Sequence, residues 1–169
     1  MPAEAYPLQH RSEVTVAADA QRLFAHLDDQ RRLASHMEKP SLMTAGASMH
    51  FETDAQRGQA VGSVIRMSGR VLGLHLAVAE IVTEYGPPLR KTWETIGTPR
   101  LLVIDAYRMG FAISAQACGS RWLVFIDYRL PAHGLARVLG RLLGRSYAAW
   151  CTRKMAGDAA AAFARAGAP

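Results

Sequence analysis

The sequence lacks most of the features that mark a disulfide-rich scaffold, a metal site or a membrane span. It contains only two cysteines, Cys118 and Cys151. One falls in a predicted turn and the other in a predicted helix, which forms neither a disulfide framework nor a metal-ligand spacing. No uncharged apolar run approaches the roughly 18 residues of a transmembrane helix. The opening segment MPAEAYPLQH has no basic stretch followed by an apolar core, so we expect no secretory signal and a cytoplasmic location.

Motifs for catalysis and cofactor binding are also absent. The chain contains no Gly-rich phosphate loop, no HExxH pair and no GxSxG elbow. We therefore expect no cofactor and no metal, and we expect neither a Rieske-type oxygenase nor a zinc hydrolase.

The formal net charge of +6 raises the question of binding to nucleic acid or to anionic lipid. Basic residues occur throughout the chain, and no RNP, zinc-finger or helix-turn-helix pattern accompanies them. We expect a solvated, arginine-rich surface and no specific nucleic-acid partner. Weak attraction to acidic surfaces is the alternative.

The stretch from Pro131 to about Arg165 predicts one long helix, 131–166, with Pro131 in its first turn. Apolar or aromatic residues recur at every fourth position and form a row that winds slowly around the helix. The row consists of Leu135, Leu139, Leu143, Tyr147, Cys151, Met155, Ala159 and Phe163, and it is widened by Leu142 and Trp150. A second row, Arg137, Arg141 and Arg145, should face water. A helix of a bundle, or one that packs against another chain, would show the same pattern. The residues upstream therefore decide what this helix packs against.

Those upstream residues predict strands. HRSEVTVA alternates β-branched and polar residues, which predicts a first strand after a loose leader at 1–9. Asp19 should cap a short helix, and Asp28 should begin a second one that Pro40 ends. Turn signals then separate six further strands, at 43–53, 61–72, 74–85, 89–96, 100–114 and 120–130. Their short connections favour an antiparallel meander.

One face of the predicted sheet is apolar and aromatic throughout. In the last strand this face carries Trp122, Val124, Ile126 and Tyr128, because residues two apart share a face. The charged Arg121 lies on the other face. A seven-stranded sheet with one such face must bury it, and the long helix is the available partner. The sequence therefore predicts a single α+β domain over 1–169.

The order of strand, two short helices, six strands and long C-terminal helix resembles the START-like or Bet v 1-like superfamily. The resemblance rests on EVTVAADAQRLFAHLDD (13–29), GSVIRMSGRVLGLHLAVAEIVTEYGPPLRKTWE (62–94) and GSRWLVFIDYRLP (119–131). It implies the helix-grip fold, in which a curved antiparallel sheet wraps around the long helix and leaves an elongated cavity. This superfamily, which includes polyketide cyclase/dehydrase and lipid-transport proteins, has no shared catalytic motif, so the resemblance implies no particular activity.

Two carboxylates and a tyrosine are the candidate catalytic residues, because a few polar groups orient the ligand in an apolar site. Asp105 shares parity with Tyr107, and Glu80 shares parity with Val78 and Val82. Either carboxylate could therefore lie inside the cavity with a raised pKa, and Tyr107 is the candidate proton donor. In the alternative, a strand end turns Asp105 to solvent and Glu80 pairs with an arginine on a neighbouring strand.

The candidate ligand-binding residues are large aromatic and methionine side chains. They are Met67, Trp93, Tyr107, Met109, Phe111, Trp122, Tyr147 and Trp150. Tyr and Trp combine a large apolar area with a hydrogen-bonding edge, which suits a mostly apolar ligand with a polar end, and methionine adapts to irregular shapes. Packing in a filled core explains the same residues without a ligand.

Three functions from different classes are compatible with these residues. The first is binding of a hydrophobic small molecule, lipid-like or aromatic, between sheet and helix. The second is a polyketide cyclase or dehydratase that uses general acid/base catalysis, with Asp105 or Glu80 as base and Tyr107 as donor. The third is an assembly or membrane-recruiting factor whose arginine row contacts anionic lipid or an acidic partner. The sequence predicts no oligomeric state.

Overall fold

A computed structural model describes residues 6–29, 49–71 and 73–166 of the chain. Its elements are β1 (Leu8–Val16), α1 (Ala20–Leu27), β2 (Met49–Thr53), β3 (Val64–Val71), β4 (Leu74–Gly86), β5 (Arg90–Arg100), β6 (Tyr107–Gln116), β7 (Gly119–Tyr128) and α2 (Gly134–Ala166). The strands form one antiparallel sheet in the order β1-β7-β6-β5-β4-β3-β2. The predicted seven-stranded antiparallel sheet with a long C-terminal helix is confirmed. Residues 30–40 of the predicted second short helix lie outside the described residues.

The inner face of the sheet is the apolar face that the alternation predicts. Trp122 and Val124 of β7 are fully buried, and Ile126 and Tyr128 are nearly so. Trp122 lies between Val14 of β1 and Ile113 of β6, so the buried residues of neighbouring strands meet side by side. This continuity across the strands builds the main core.

Two irregularities in register bend β4 against β5. The pairing shifts between Ala77 and Ala79 and again between Val82 and Glu84. A bulge inserts an unpaired residue, bends its strand and increases the local twist. The segment of β4 between the two shifts, which contains Glu80, therefore lies where the sheet curves.

Two acidic residues, Asp19 and Asp28, cap the ends of helix α1. The Asp19 side chain accepts a hydrogen bond of 2.8 Å from the Arg22 backbone N–H, which satisfies a donor at the start of the helix and contributes about 1 kcal/mol. Leu23, Phe24 and Leu27 are buried against the sheet. The predicted cap and apolar face of this helix are both confirmed.

Helix α2 packs on the sheet mainly through its second half. Ala148, Cys151, Met155 and Ala159 are buried, and the Thr152 hydroxyl lies 2.9 Å from Ser12 Oγ and 2.7 Å from His10 Nδ1 of β1. These contacts join the helix to the first strand. Neither helix in the described part of the chain is long and apolar enough to cross a membrane.

The first half of α2 differs from the sequence prediction. The helix begins at Gly134, so Pro131 precedes it. Leu135 and Leu143 of the predicted buried row are exposed, because this part of the helix approaches the body through Gly140 and Gly144. A Cβ on Gly144 would lie 2.6 Å from Leu130 Cδ2 and 3.0 Å from the Val103 carbonyl oxygen.

Two predicted strand limits are also wrong. β6 begins at Tyr107 rather than at residue 100, because the preceding segment 101–106 turns away from strand geometry and buries Ile104. β1 begins at Leu8, inside the predicted loose leader, because Leu8 finds a pairing partner in Tyr128 of β7.

Candidate ligand-binding site

Glu80 places a buried carboxyl group on the inner face of the sheet. Ile65 of β3 and Thr95 of β5 lie opposite it, and Glu80 is only 1% exposed. Burial raises the pKa of Glu80 from 4.5 to about 7, because apolar surroundings disfavour the charged form. Near neutral pH this carboxyl group therefore exists in both protonation states.

The two oxygens of the Glu80 carboxyl differ in their hydrogen bonding within the described part of the chain. The Tyr107 hydroxyl donates a hydrogen bond to Oε1. Hydrogen bonds from Tyr107 and Trp93, together with the charge of Lys91, hold the pKa of Glu80 below the value that burial alone would give. Oε2 is buried and has no hydrogen-bond partner among the residues that the structure describes. The carboxyl group thus keeps one oxygen for a further partner.

Tyr107 links the sheet to the long helix. Its backbone N–H donates to Thr95 Oγ1 over 3.1 Å, which fixes the first residue of β6. Burial, followed by the charge of Glu80, raises the pKa of Tyr107 well above its ordinary value, with smaller contributions from Tyr147 and Cys151 of α2. Because electrostatic contributions of this kind fall off with distance, the two helical side chains lie near Tyr107.

Tyr147 and Cys151 form a polar pair on the inner side of α2. They share a hydrogen bond, and burial raises the pKa of Cys151 to about 12. The thiol is therefore protonated at neutral pH and is a poor nucleophile. Burial also raises the pKa of Tyr147 well above its ordinary value. Both groups remain neutral hydrogen-bonding partners on the helix side of Glu80.

The buried apolar residues form two clusters instead of one continuous core. The main core joins α1, α2 and the strands β1, β3, β4, β5, β6 and β7. A smaller cluster, here called the outer cluster, consists of Phe51, Met67 and Val78, with Leu76 and Leu101 packed against it. Tyr107 contacts both clusters and is only partly buried. The Glu80 and Tyr107 pair therefore lies where the two clusters meet.

A second buried polar group joins α1 to the sheet. Lys91 Nζ lies 2.7 Å from Asp28 Oδ1, and both side chains are almost completely buried. Tyr85 and Gln59 donate hydrogen bonds of 2.7 and 3.1 Å to the other carboxylate oxygen of Asp28. Desolvation lowers the pKa of Lys91 while Asp28 partly restores it. Because both charges have partners, we interpret this group as a structural link between α1 and the sheet.

The structure separates the two candidate carboxylates. Asp105 lies in the turn before β6, where its Oδ2 is 2.6 Å from Arg129 Nε and about a third of its side chain is exposed. Asp105 lies outside β6, so its parity with Tyr107 in the sequence does not place both residues on one strand face. Only Glu80 lies beside Tyr107.

The predicted ligand-binding residues fall in three places. Trp93, Met109, Phe111 and Trp122 are buried in the main core, Met67 belongs to the outer cluster, and Tyr107, Tyr147 and Trp150 are partly buried. Phe111 packs edge to face with Trp122 at 6.4 Å between ring centroids. Tyr147 and Trp150 lie 5.9 Å apart on α2. Ligand contact by this set stays a prediction.

Sequence reasoning does not select Lys91, although it shares parity with Trp93 in RKTWE and that parity places it on the inner face. It also gives no sign that Glu80 Oε2 lacks a partner, since that depends on which side chains surround it in three dimensions.

Several solved structures share this fold. TTHA0849 from Thermus thermophilus is 14% identical, covers 95% of this chain and 100% of its own, and has a TM-score of 0.68. The ZhuI aromatase/cyclase from Streptomyces sp. R1128 is 15% identical, with 96% and 99% coverage and a TM-score of 0.63. Ara h 8.0201 is 12% identical, with 94% and 98% coverage and a TM-score of 0.58.

These likenesses confirm the helix-grip fold that the sequence resemblance implied. No protein-family model matches the sequence, and no curated protein matches it. At such low identity the likeness establishes the fold alone.

Proposed function

We propose that this protein binds a largely apolar small molecule, lipid-like or aromatic, between the sheet and α2, with a polar end of the molecule at Glu80. The observation that carries the proposal is Oε2 of Glu80, which is buried at the junction of the main core and the outer cluster and has no hydrogen-bond partner among the described residues. A buried polar atom without a hydrogen bond costs about 1 to 3 kcal/mol. A ligand hydroxyl or carbonyl at this atom would remove that cost.

The surrounding groups suit such a molecule. Phe51, Met67 and Val78 offer an apolar surface, and methionine adapts to different shapes. Near neutral pH the Glu80 carboxyl can accept a hydrogen bond in its charged form or donate one in its neutral form, since its pKa is about 7. The site therefore accommodates either an alcohol or a ketone as the polar end.

Enzymatic proton transfer is the second candidate, and the pKa of Glu80 favours it. A general base works best when its pKa lies near the working pH, and burial brings the pKa of Glu80 to about 7. In a cyclase-type reaction Oε2 would take an acidic α-proton of a poly-β-ketone, the C–H electrons would move to the carbonyl oxygen, and Tyr107 would hold Oε1. The fold neighbour ZhuI is named as an aromatase/cyclase.

The binding proposal is tested with protein purified without added ligand. Native mass spectrometry should show a copurified small molecule or, on empty protein, stoichiometric binding of the fluorescent probe N-phenyl-1-naphthylamine. Leu101→Trp adds bulk beside the outer cluster and should weaken probe binding at least about tenfold. Leu89→Trp, at an exposed turn position, is the matched control and should leave the affinity unchanged.

Failure of both the copurification and the probe measurement would contradict the binding proposal. The enzymatic candidate has a separate test, in which a synthetic poly-β-ketone is incubated with the protein and with Glu80→Gln. Turnover that Glu80→Gln abolishes, with probe binding retained, supports proton transfer. Equal turnover in both proteins contradicts it.

A further inference from the structure

The first half of α2 exposes a set of large apolar side chains. Leu135, Val138, Leu142 and Leu143 are 71, 53, 71 and 49% exposed, and Leu139 is partly exposed. These five residues are here called the leucine face. At 100° per residue they fall within an arc of about 140°, over a length of about 12 Å. Contiguous exposed apolar patches of this kind on soluble proteins commonly mark a binding surface.

The leucine face points away from the body of the protein. Gly140 and Gly144, which approach Pro131, Leu130 and Val103, lie on the opposite side of the helix. The contact through the two glycines therefore fixes the orientation of α2, and this orientation directs the leucines outward. Their exposure follows from how the helix is seated on the sheet.

An exposed arginine row winds from the glycine side of the helix to one edge of the leucine face, which Arg145 reaches. Arg137, Arg141 and Arg145 are exposed, and none forms an ion pair within the described part of the chain. Long arginine side chains can cover apolar surface with their stems while the guanidinium groups reach phosphate at an interface. The combination of leucines and adjacent arginines is typical of helices that lie in a membrane surface.

The net positive charge of the protein comes from the stretch that contains this face. No Asp or Glu occurs between Asp127 and Asp158, whereas this stretch contains six Lys and Arg residues. They account for the whole formal excess of +6, since the rest of the chain has 14 basic residues against 14 acidic ones. Arg129 pairs with Asp105 and Lys154 with Asp158. The other four lie on α2, and their charge attracts an anionic surface.

We propose that the leucine face and the row Arg137, Arg141 and Arg145 dock the protein on an anionic lipid surface. A lipid surface fits because the leucine face is the convex side of a single helix, which can sink into a bilayer interface without a matching groove. A second copy of the chain fits less well, because antiparallel face-to-face pairing would place the two arginine rows on the same side. This docking is independent of what the interior binds.

Vesicle co-sedimentation of the full chain tests the docking. Binding to vesicles with about a third phosphatidylglycerol in phosphatidylcholine should exceed binding to pure phosphatidylcholine, and salt should weaken it. Arg141→Gln should lower the partition coefficient about fivefold. Leu142→Ser should lower it about tenfold. Both residues are exposed, so circular dichroism should show a normal fold in both variants.

Matched controls use residues away from α2. Leu89→Ser removes another exposed leucine, at the β4–β5 turn, and Arg11→Gln removes another exposed arginine, on β1. Both should bind anionic vesicles as the unmodified protein does. Equal binding to neutral and anionic vesicles, or an effect of the controls as large as that of Leu142→Ser, would overturn the proposal. A dimer in solution that Leu142→Ser dissociates would also overturn it, because the leucine face would then be covered by a second copy.

Discussion

The Tyr107 hydroxyl donates a hydrogen bond to Oε1 of Glu80, and this contact spans the inner face of the sheet from β6 to β4. The two residues are 27 positions apart in sequence and are brought together because β5 lies between their strands. The contact orients the carboxyl group, so that Oε2 remains as the oxygen without a partner among the described residues. This hydrogen bond therefore helps to define the geometry of the candidate site.

Removing the Tyr107 hydroxyl should raise the pKa of Glu80 above about 7. The hydrogen bond from Tyr107 favours the charged carboxylate, and Tyr107→Phe deletes it while it keeps the ring. An NMR pH titration of the Glu80 side-chain carboxyl carbon measures the shift. Tyr85→Phe is the matched control, because the Tyr85 hydroxyl donates to Asp28. An unchanged pKa in Tyr107→Phe would show that the contact does not control the carboxyl group.

The raised pKa of Glu80 also predicts how stability depends on pH. Between pH 4.5 and about 7 the folded protein holds the Glu80 proton that the unfolded chain has lost, so stability from this group falls as pH rises through that window. The free energy of unfolding relative to Glu80→Gln should decrease by up to about 3 kcal/mol across it. Urea denaturation of both proteins at several pH values measures this difference. A difference that stays flat would contradict the assigned pKa.

Removing Asp28 from its ion pair with Lys91 should destabilise the protein more than removing Lys91. Asp28→Asn leaves a fully buried ammonium group without its counter-charge, which costs about 3 to 5 kcal/mol. Lys91→Met should cost less, because Tyr85 and Gln59 still donate to Asp28. Urea denaturation measures both losses. The exposed pair Lys154 and Asp158 is the control, and its loss should cost at most about 0.5 kcal/mol.

The sequence predicts the inner face of the sheet because alternation reports a buried face directly. Trp122, Val124 and Ile126 are assigned to the core by parity alone, and they are buried. The same parity places Glu80 among Val78 and Val82. It fails for Asp105, because the apolar segment before β6 looks like strand in sequence but turns in space.

The helix shows a different limit of sequence reasoning. The four-residue period defines the faces of α2, but it does not say which face meets the sheet. Leucine favours burial, yet Gly140 and Gly144 permit a closer approach than leucine does. The orientation is decided by this close packing against Leu130 and Val103, which hydrophobicity does not encode.

The close approach at Gly144 makes that glycine sensitive to a single methyl group. Alanine is a better helix former than glycine by about 1 kcal/mol, so Gly144→Ala would stabilise a free helix. In the protein the new Cβ would lie 2.6 Å from Leu130 Cδ2 and 3.0 Å from the Val103 carbonyl oxygen. The Leu130 side chain can move, but the backbone carbonyl cannot move cheaply. We expect Gly144→Ala to lower the free energy of unfolding by about 1 to 3 kcal/mol.

Gly157 provides the matched control on the same helix. A Cβ there meets no heavy atom within 4 Å among the described residues, so Gly157→Ala should show the helix preference alone and stabilise the protein by up to about 1 kcal/mol. Urea denaturation of both variants gives the comparison, in which the same substitution on one helix changes stability in opposite directions. If Gly144→Ala stabilised the protein as Gly157→Ala does, α2 would not be seated through its glycines, and the outward orientation of the leucine face would lose its structural cause.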